Sequence, residues 1–316
     1  MSVTILGLGL VSPDAGDGFR VRNLPPSDEP RLKRLPRLER MALAAARQAL
    51  PPDLETRDLA VVFGTGYGGL SATRDFLEGI ATRGAEFGSP IAFQQSVHHS
   101  PAGEISLFLG AHGPALTTSA RELSGESALQ VAVTLLDGGR AKHVLVVAAD
   151  EWTPVLEAGY RAFGSLAVDG VAPIQRAFRL GEGAAAVLLG AGPGSLRLEC
   201  TLTAHARPVL QFATVDQLRP LLLRGATTRD TSVSVSLAAP NEAVLESELA
   251  VLENLAPTPV HWVDSKTFGF HASSGLLRVV AAAKRIRAEA VGSTCAVHGL
   301  ALGGGQSLTL VRHVGA

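Results

Sequence analysis

The run His143–Ala149, HVLVVAA, is apolar at every position after its histidine. A strand with one face in water alternates polar and apolar residues, so an unbroken run demands cover on both faces. Leu59–Phe63 (LAVVF) and Glu182–Leu189 (EGAAAVLL) have the same character, and Val3–Leu10 is a glycine-rich run suited to a buried first strand. Helical periodicity lies between these runs. Leu32–Leu50 gathers Leu35, Leu38, Met41, Leu43, Ala45 and Ala46 on one broad face and stops at Pro51–Pro52. Further helices are expected over Ser71–Ile80, Pro101–Gly110 and Ser127–Leu136, the last ended by Asp137-Gly-Gly-Arg. Central strands covered by helices imply a layered α/β fold.

The pattern starts again after residue 190. An alternating strand is expected over Ser195–Ala206, a helix over Val209–Arg224, a strand over Thr231–Leu237 and an acidic-faced helix over Asn241–Asn254. A strand at Val260–Val263, an Ala-rich helix at Ser274–Ala290 and a strand pair, Ala296–Leu302 with Ser307–Arg312, close the chain. That pair flanks Gly303, Gly304 and Gly305. The 316 residues therefore read as two similar halves, 1–190 and 191–316.

A net charge of -1 leaves no broad basic field for nucleic acid. The local basic runs Arg31–Arg40 and Lys284–Arg287 read first as solvated helix faces, with a phosphate or carrier-protein contact as the sharper reading. Two cysteines, Cys200 and Cys295, make neither a disulfide framework nor a thiolate metal site. His98 and His99 adjoin each other, but no third ligand stands at a metal-binding spacing, so no metal is expected. No apolar stretch reaches the ~20 residues of a membrane span. The opening MSVTILGLGLVSP lacks the basic leader and cleavage site of a signal peptide, and the expected location is cytoplasmic.

Chemistry concentrates in Thr117–Leu135, TTSARELSGESALQVAVTL. A polar elbow runs into a small-residue turn and an apolar helix, which sets residue 122 at or near a helix N-terminus. Free backbone N–H groups there stabilise an anion or an anionic transition state. An acyl-transfer enzyme would place a thiol or hydroxyl at such a point; this chain has Glu122. Gly64–Gly69, GTGYGG, lacks the GK[ST] ending of a P-loop and the third glycine of a dinucleotide fingerprint, so it reads as a tight strand-to-helix turn.

The order of short motifs resembles the beta-ketoacyl synthases of the thiolase superfamily. The similar segments are Val3–Pro13, Ser96–Pro114, the elbow SARELSGESAL, Ala177–Leu189, SKTFGFHASSG at Ser265–Gly275, and GLALGGGQSLTLV at Gly299–Val311. The resemblance implies a thiolase-like five-layered α-β-α-β-α fold built from two similar halves, and a dimer whose sheets join across the interface. It also implies a site reached by the phosphopantetheine arm of an acyl carrier protein, with no intrinsic cofactor.

Three family elements can be placed. The catalytic cysteine stands three residues before the elbow glycine, and counting back from Gly125 reaches Glu122. A thiol there ionises and attacks a thioester, whereas a carboxylate is a poor nucleophile toward thioesters. Ser119 and Ser124 are neighbouring hydroxyls without an evident base, and Ser124 reads as turn filler. The second element, a histidine before an Asn-Asp pair, has Asn241-Glu242 as its counterpart, but no histidine lies between His205 and His261. The third survives: Lys266 and His271 keep the family's spacing, with Phe270 in place of the usual glycine. His271 is expected to meet Glu122, Lys266 to meet Glu122 or Glu182, and His298 to line the former pocket.

These expectations favour a degenerate, chain-length-factor-like subunit that pairs with an active ketosynthase and shapes its acyl tunnel. Two other readings stand beside it. One is a residual thioester hydrolase or decarboxylase using Glu122, Lys266 and His271; the other is a homodimeric scaffold protein.

Overall fold

The computed structural model describes residues 3–12, 28–164, 166, 178–205, 217–225, 232–255, 259–302 and 304–315. The first half supplies β1 (Val3–Val11), β2 (Ala60–Gly64), β3 (Ala115–Thr118), β4 (His143–Asp150) and β5 (Gly183–Gly190). The second supplies β6 (Leu196–His205), β7 (Ser232–Ser236), β8 (Val260–Trp262), β9 (Ser293–Leu300) and β10 (Gly305–His313). They form one hydrogen-bonded series, β3-β2-β4-β5-β1-β6-β10-β9-β7-β8.

Each half has its own five strands in the order third, second, fourth, fifth, first. β2 runs parallel to β3 and β4, and β7 runs parallel to β8 and β9. β5 is antiparallel to β4 and β1, just as β10 is antiparallel to β9 and β6. The seam between the halves is short: Val3, Thr4 and Ile5 of β1 face Leu198, Arg197 and Leu196 of β6.

The helices divide into layers. After α1 (Glu29–Leu32) come α2 (Arg37–Ala49), α3 (Leu70–Arg83), α4 (Pro90–Ser96) and α5 (Ser100–Leu109). Then follow α6 (Ser124–Asp137), α7 (Pro154–Ala162), α8 (Leu218–Gly225), α9 (Glu242–Glu253), α10 (Ser265–Phe268) and α11 (Ser274–Ile286). α2 and α5 cover the outer face of the first sheet, where Leu38, Met41 and Ile105 pack on Phe63, Leu145 and Val147. α6 and α11 form the middle layer, with Leu129, Ala132, Leu276 and Val280 packed among Val62, Val144, Val146 and Val297. α8 and α9 cover the outer face of the second sheet through Leu221, Val244 and Leu252 against Val235, Ala296 and Leu308. The layers are therefore α-β-α-β-α.

This arrangement explains the unbroken run in β4. Leu145, Val147 and Ala149 face α2, whereas Val144, Val146 and Ala148 face the middle helices, so all six are buried. Burying each of the larger side chains contributes about 1.5–3 kcal/mol. Pro51 holds Leu50 extended (φ -90°, ψ 124°) and stops α2 at Ala49. The helix expected over Val209–Arg224 is seen as α8, Leu218–Gly225; residues 206–216 lie outside those described. Besides the four-residue α1 and α10, two helices were not expected from periodicity, α4 and α7. Each begins Ser/Thr-Pro, with Ser89 accepting from Ala92 N and Thr153 accepting from Leu156 N.

Candidate functional site

The site lies where β2, β3 and β4 end and the middle helices begin. From Thr118 the chain turns through residues 119–123 and enters α6 at Ser124, so Glu122 sits two residues ahead of the first helical residue. The turn is tightly closed. Leu123 N and Ser124 N donate to Ala120 O and Arg121 O, each at 3.1 Å. Ser124 Oγ donates to Arg121 O (2.5 Å) and accepts from Ala120 N (3.0 Å), so this buried hydroxyl serves the turn. Arg121 adopts φ 51°, the left-handed region that costs a side-chain-bearing residue about 1–3 kcal/mol. Ser119 is exposed, and its Oγ donates to Gly66 O at 3.5 Å.

Glu122 is buried, 3 % exposed. Its Oε2 accepts from Leu302 N at 3.2 Å, while Arg121 Nη1 donates to Leu302 O at 3.4 Å. The two elbow residues thus grip both polar groups of the residue that precedes the glycine loop. Gly304 turns that loop with φ 87°, and Ala301 N donates to Gly305 O at 2.8 Å; Gly303 lies outside the described residues. Burial raises the Glu122 pKa; its own N–H, Leu302 N and Arg121 oppose the shift, and Asp150 adds to it.

The expected Glu122–His271 hydrogen bond does not form. His271, 3 % exposed, places Nδ1 3.2 Å from Ser273 Oγ, and its Nε2 is buried without a partner among the described residues. Ser273 Oγ in turn donates to Asp150 Oδ2 at 2.7 Å. Asp150 closes β4 and also accepts from Thr65 Oγ1 (2.8 Å), Gly66 N (3.0 Å) and Tyr67 N (3.2 Å). Burial raises Asp150 to about 6 against these donors. Burial, helped by the Arg278 cation, lowers His271 to about 3, so its ring is neutral.

Asp150 and Ser273 were not among the expected site residues. A readable signal existed for Asp150, because a carboxylate ends an otherwise apolar strand at the sheet edge where α/β folds bind ligands. Ser273, 123 positions away, gave no such signal.

The glycine turn after β2 fits between these segments. A Cβ on Gly66 would stand 2.2 Å from Ala272 Cβ and 3.5 Å from Arg121 O, so the bare backbone lets the elbow approach the His271 segment. Tyr67 from the same turn meets the Tyr160 hydroxyl on α7, with rings edge to face. Tyr160, Phe178 and Phe270 continue this aromatic wall, with ring centroids 5.1 and 5.0 Å apart. Phe270, beside His271, is 3 % exposed and hydrogen-bonds through its backbone to Arg179 and Gly181.

Two further residues lie elsewhere. His298 does not line this site: it points to the opposite face of the second sheet, with Nδ1 2.5 Å from Glu248 Oε1 and Nε2 3.2 Å from Gln306 Oε1. Glu248 also accepts from Ala238 N and Ala239 N, each at 2.8 Å, which makes this a satisfied core network. Cys295 is buried in β9, and burial pushes its thiol up to about 12.

The Lys266 backbone belongs to α10, but its side chain is not among those described, so its expected contacts with Glu122 or Glu182 lie outside the described residues. Glu182 is engaged by Arg37 (2.5 and 3.3 Å) and by Trp152 N (3.1 Å). Asn241 caps α9 by accepting from Val244 N at 3.0 Å, a structural duty. Among the described residues no three His, Cys, Asp or Glu side chains converge as metal ligands, and no helix is long and apolar enough to cross a membrane.

Residues 19–181 match the family model described as beta-ketoacyl synthase, N-terminal domain. A curated relative, 3-oxoacyl-[acyl-carrier-protein] synthase 2 of Synechocystis sp., is 26 % identical over 187 residues, 57 % of this chain. The chain spans 45 % of that relative's length. The ishigamide ketosynthase/chain length factor superposes with a TM-score of 0.74 at 21 % identity, covering 100 % of both chains. AntDE:AntF, a type II PKS acyl-carrier protein in complex with its ketosynthase bound to the hexaketide, superposes at 0.76 with 14 % identity and 99 % coverage of both chains. These likenesses show that the two-half layered fold is shared.

Proposed function

The chain belongs to the beta-ketoacyl synthase family, and within it we propose a non-condensing, chain-length-factor-like subunit that pairs with an active ketosynthase and helps shape its acyl or polyketide tunnel. One observation carries this reading: the elbow presents the buried carboxyl of Glu122, tied to Leu302 N. A carboxyl is a poor nucleophile toward a thioester and does not store an acyl group usefully. Among the described residues, Ser124 Oγ is spent on the turn and the Cys295 thiol is buried in β9, so neither replaces it.

We take residues 1–190 and 191–316 as the two halves, and the partner as an active synthase subunit. β3 ends the strand series, and Leu116 on it is 41 % exposed. Exposed Leu107 on α5 lies on the helix that packs beside it, and Ile91 and Phe93 on α4 are also exposed. An open apolar strand edge of this kind invites pairing with a second sheet. The carrier protein's phosphopantetheine arm is then a transient ligand of the pair, and no intrinsic cofactor is needed.

A second reading is favoured by the raised Glu122 pKa, which suits an acid or base acting in thioester hydrolysis or decarboxylation. Co-expression with an active ketosynthase, followed by native and intact mass spectrometry, separates the two. The partner reading expects a 1:1 heterodimer with trapped acyl groups on the ketosynthase alone. Thioester turnover by the isolated chain that is lost in Glu122→Gln supports the second reading, and a stable homodimer that ignores the ketosynthase supports a scaffold.

A further inference from the structure

We infer that Asp150 and Ser273 are positioning residues that hold His271 as the Nδ1–H tautomer, so that its Nε2 is a hydrogen-bond acceptor and cannot donate to an oxyanion. The tautomer follows from the number of protons along one line of atoms. An ionised carboxylate accepts and never donates. Asp150 Oδ1 already receives Thr65 Oγ1, Gly66 N and Tyr67 N, and Oδ2 stands 2.7 Å from Ser273 Oγ. The Ser273 hydroxyl has one proton, and Asp150 takes it. Towards His271 Nδ1, 3.2 Å away, Ser273 Oγ therefore has only a lone pair to offer, and the ring must supply the proton. A neutral imidazole has one N–H, so Nε2 is left bare.

The surroundings agree. Nε2 is buried and has no partner among the described residues. Burial disfavours a second proton on the ring, as does the Arg278 cation. Asp150 is pushed up to about 6 and is still ionised at neutral pH, which preserves the direction of the line. An oxyanion hole needs a donor aimed at the developing charge. At this position the chain offers a lone pair, which suits a ligand hydroxyl or amide N–H and repels a thioester oxyanion. The polarity does not depend on Glu122 and would hold whether or not the subunit condenses. It also means that restoring a thiol at residue 122 leaves a second obstacle in place.

The test is the ¹⁵N spectrum of the imidazole in the full chain labelled with ¹⁵N-histidine, at neutral pH, with His271 assigned by its loss in His271→Asn. The expected pattern is a protonated Nδ1 and a non-protonated Nε2, the latter far downfield. Asp150→Asn keeps the shape but can point an amide N–H at Ser273 Oγ, freeing the hydroxyl proton for Nδ1; the two nitrogen shifts should then exchange character. Ser273→Ala removes the constraint, and the spectrum should move toward a mixture of tautomers. A protonated Nε2 in the unmodified chain overturns the inference, as does an unchanged pattern in both variants. The wild-type spectrum decides even if a variant fails to fold, and neither result reads condensation.

Discussion

Burial of His271 as a neutral ring makes the fold sensitive to acid, and the size of the effect follows from its pKa. The ring titrates at 6.5 when exposed and at about 3 in the folded chain, because burial and Arg278 oppose the cation. Between those values the unfolded chain binds a proton that the folded chain refuses. This contribution to stability is complete above the unfolded pKa and is lost as pH falls toward the folded value. From about pH 7.5 down to about pH 4.5 the loss is about 2.7 kcal/mol. His271→Asn keeps a side-chain N–H for Ser273 Oγ but has nothing to titrate. It pays a fixed cost for the missing ring volume at every pH. Urea unfolding of both proteins across this range isolates the effect, since other titrating groups are common to the two. The stability gap should move by about 2.7 kcal/mol in favour of the variant at the acid end. A gap that stays constant would mean the folded ring titrates normally, and the buried-neutral account of the site would be wrong.

The remaining predictions concern other parts of the frame. Glu39 on α2, held by Ser100 Oγ at 2.5 Å, is raised to about 7 by burial, with Glu104 and Glu151 adding to the rise. Its contribution is full below the ordinary value of 4.5 and is lost as pH rises through about 7. Glu39→Gln should therefore remove about 2.5 kcal/mol of alkaline destabilisation between about pH 5 and about pH 8, read by the same unfolding series. Gly66→Ala brings a Cβ to 2.2 Å from Ala272 Cβ, and calorimetry should show a loss of about 1–3 kcal/mol. Gly103→Ala, on an exposed helical position with nothing within 4 Å, should instead gain about 0.5–1 kcal/mol.

How far the sequence reached depended on whether an interaction is local. β4 was legible because a strand covered on both faces must be apolar throughout, and α2 because its apolar face repeats with helical period before Pro51. Position 122 was legible by counting from Gly125 within one elbow, although the helix begins two residues later than residue 122. α4 and α7 bury little apolar surface, so periodicity passes over them; their Ser-Pro and Thr-Pro starts were the available sign. The site's polar wiring was not legible. Asp150 and Ser273 meet only because β4 ends beside the turn into α11, and His298 finds Glu248 only across the outer face of the second sheet. Which face a histidine on a buried strand points to is decided by strand register, which the segment around His298 does not reveal by itself.

The proposed function requires that the carboxyl at the elbow leave this chain unable to hold and extend an acyl group on its own. The most direct measurement is intact mass of the purified chain after incubation, alone, with acyl and malonyl thioesters of a carrier protein, alongside analysis of the thioester products. The account predicts an unmodified chain mass and no β-ketoacyl product. A covalent acyl adduct on this chain, or β-ketoacyl thioester formed without a partner, would contradict it.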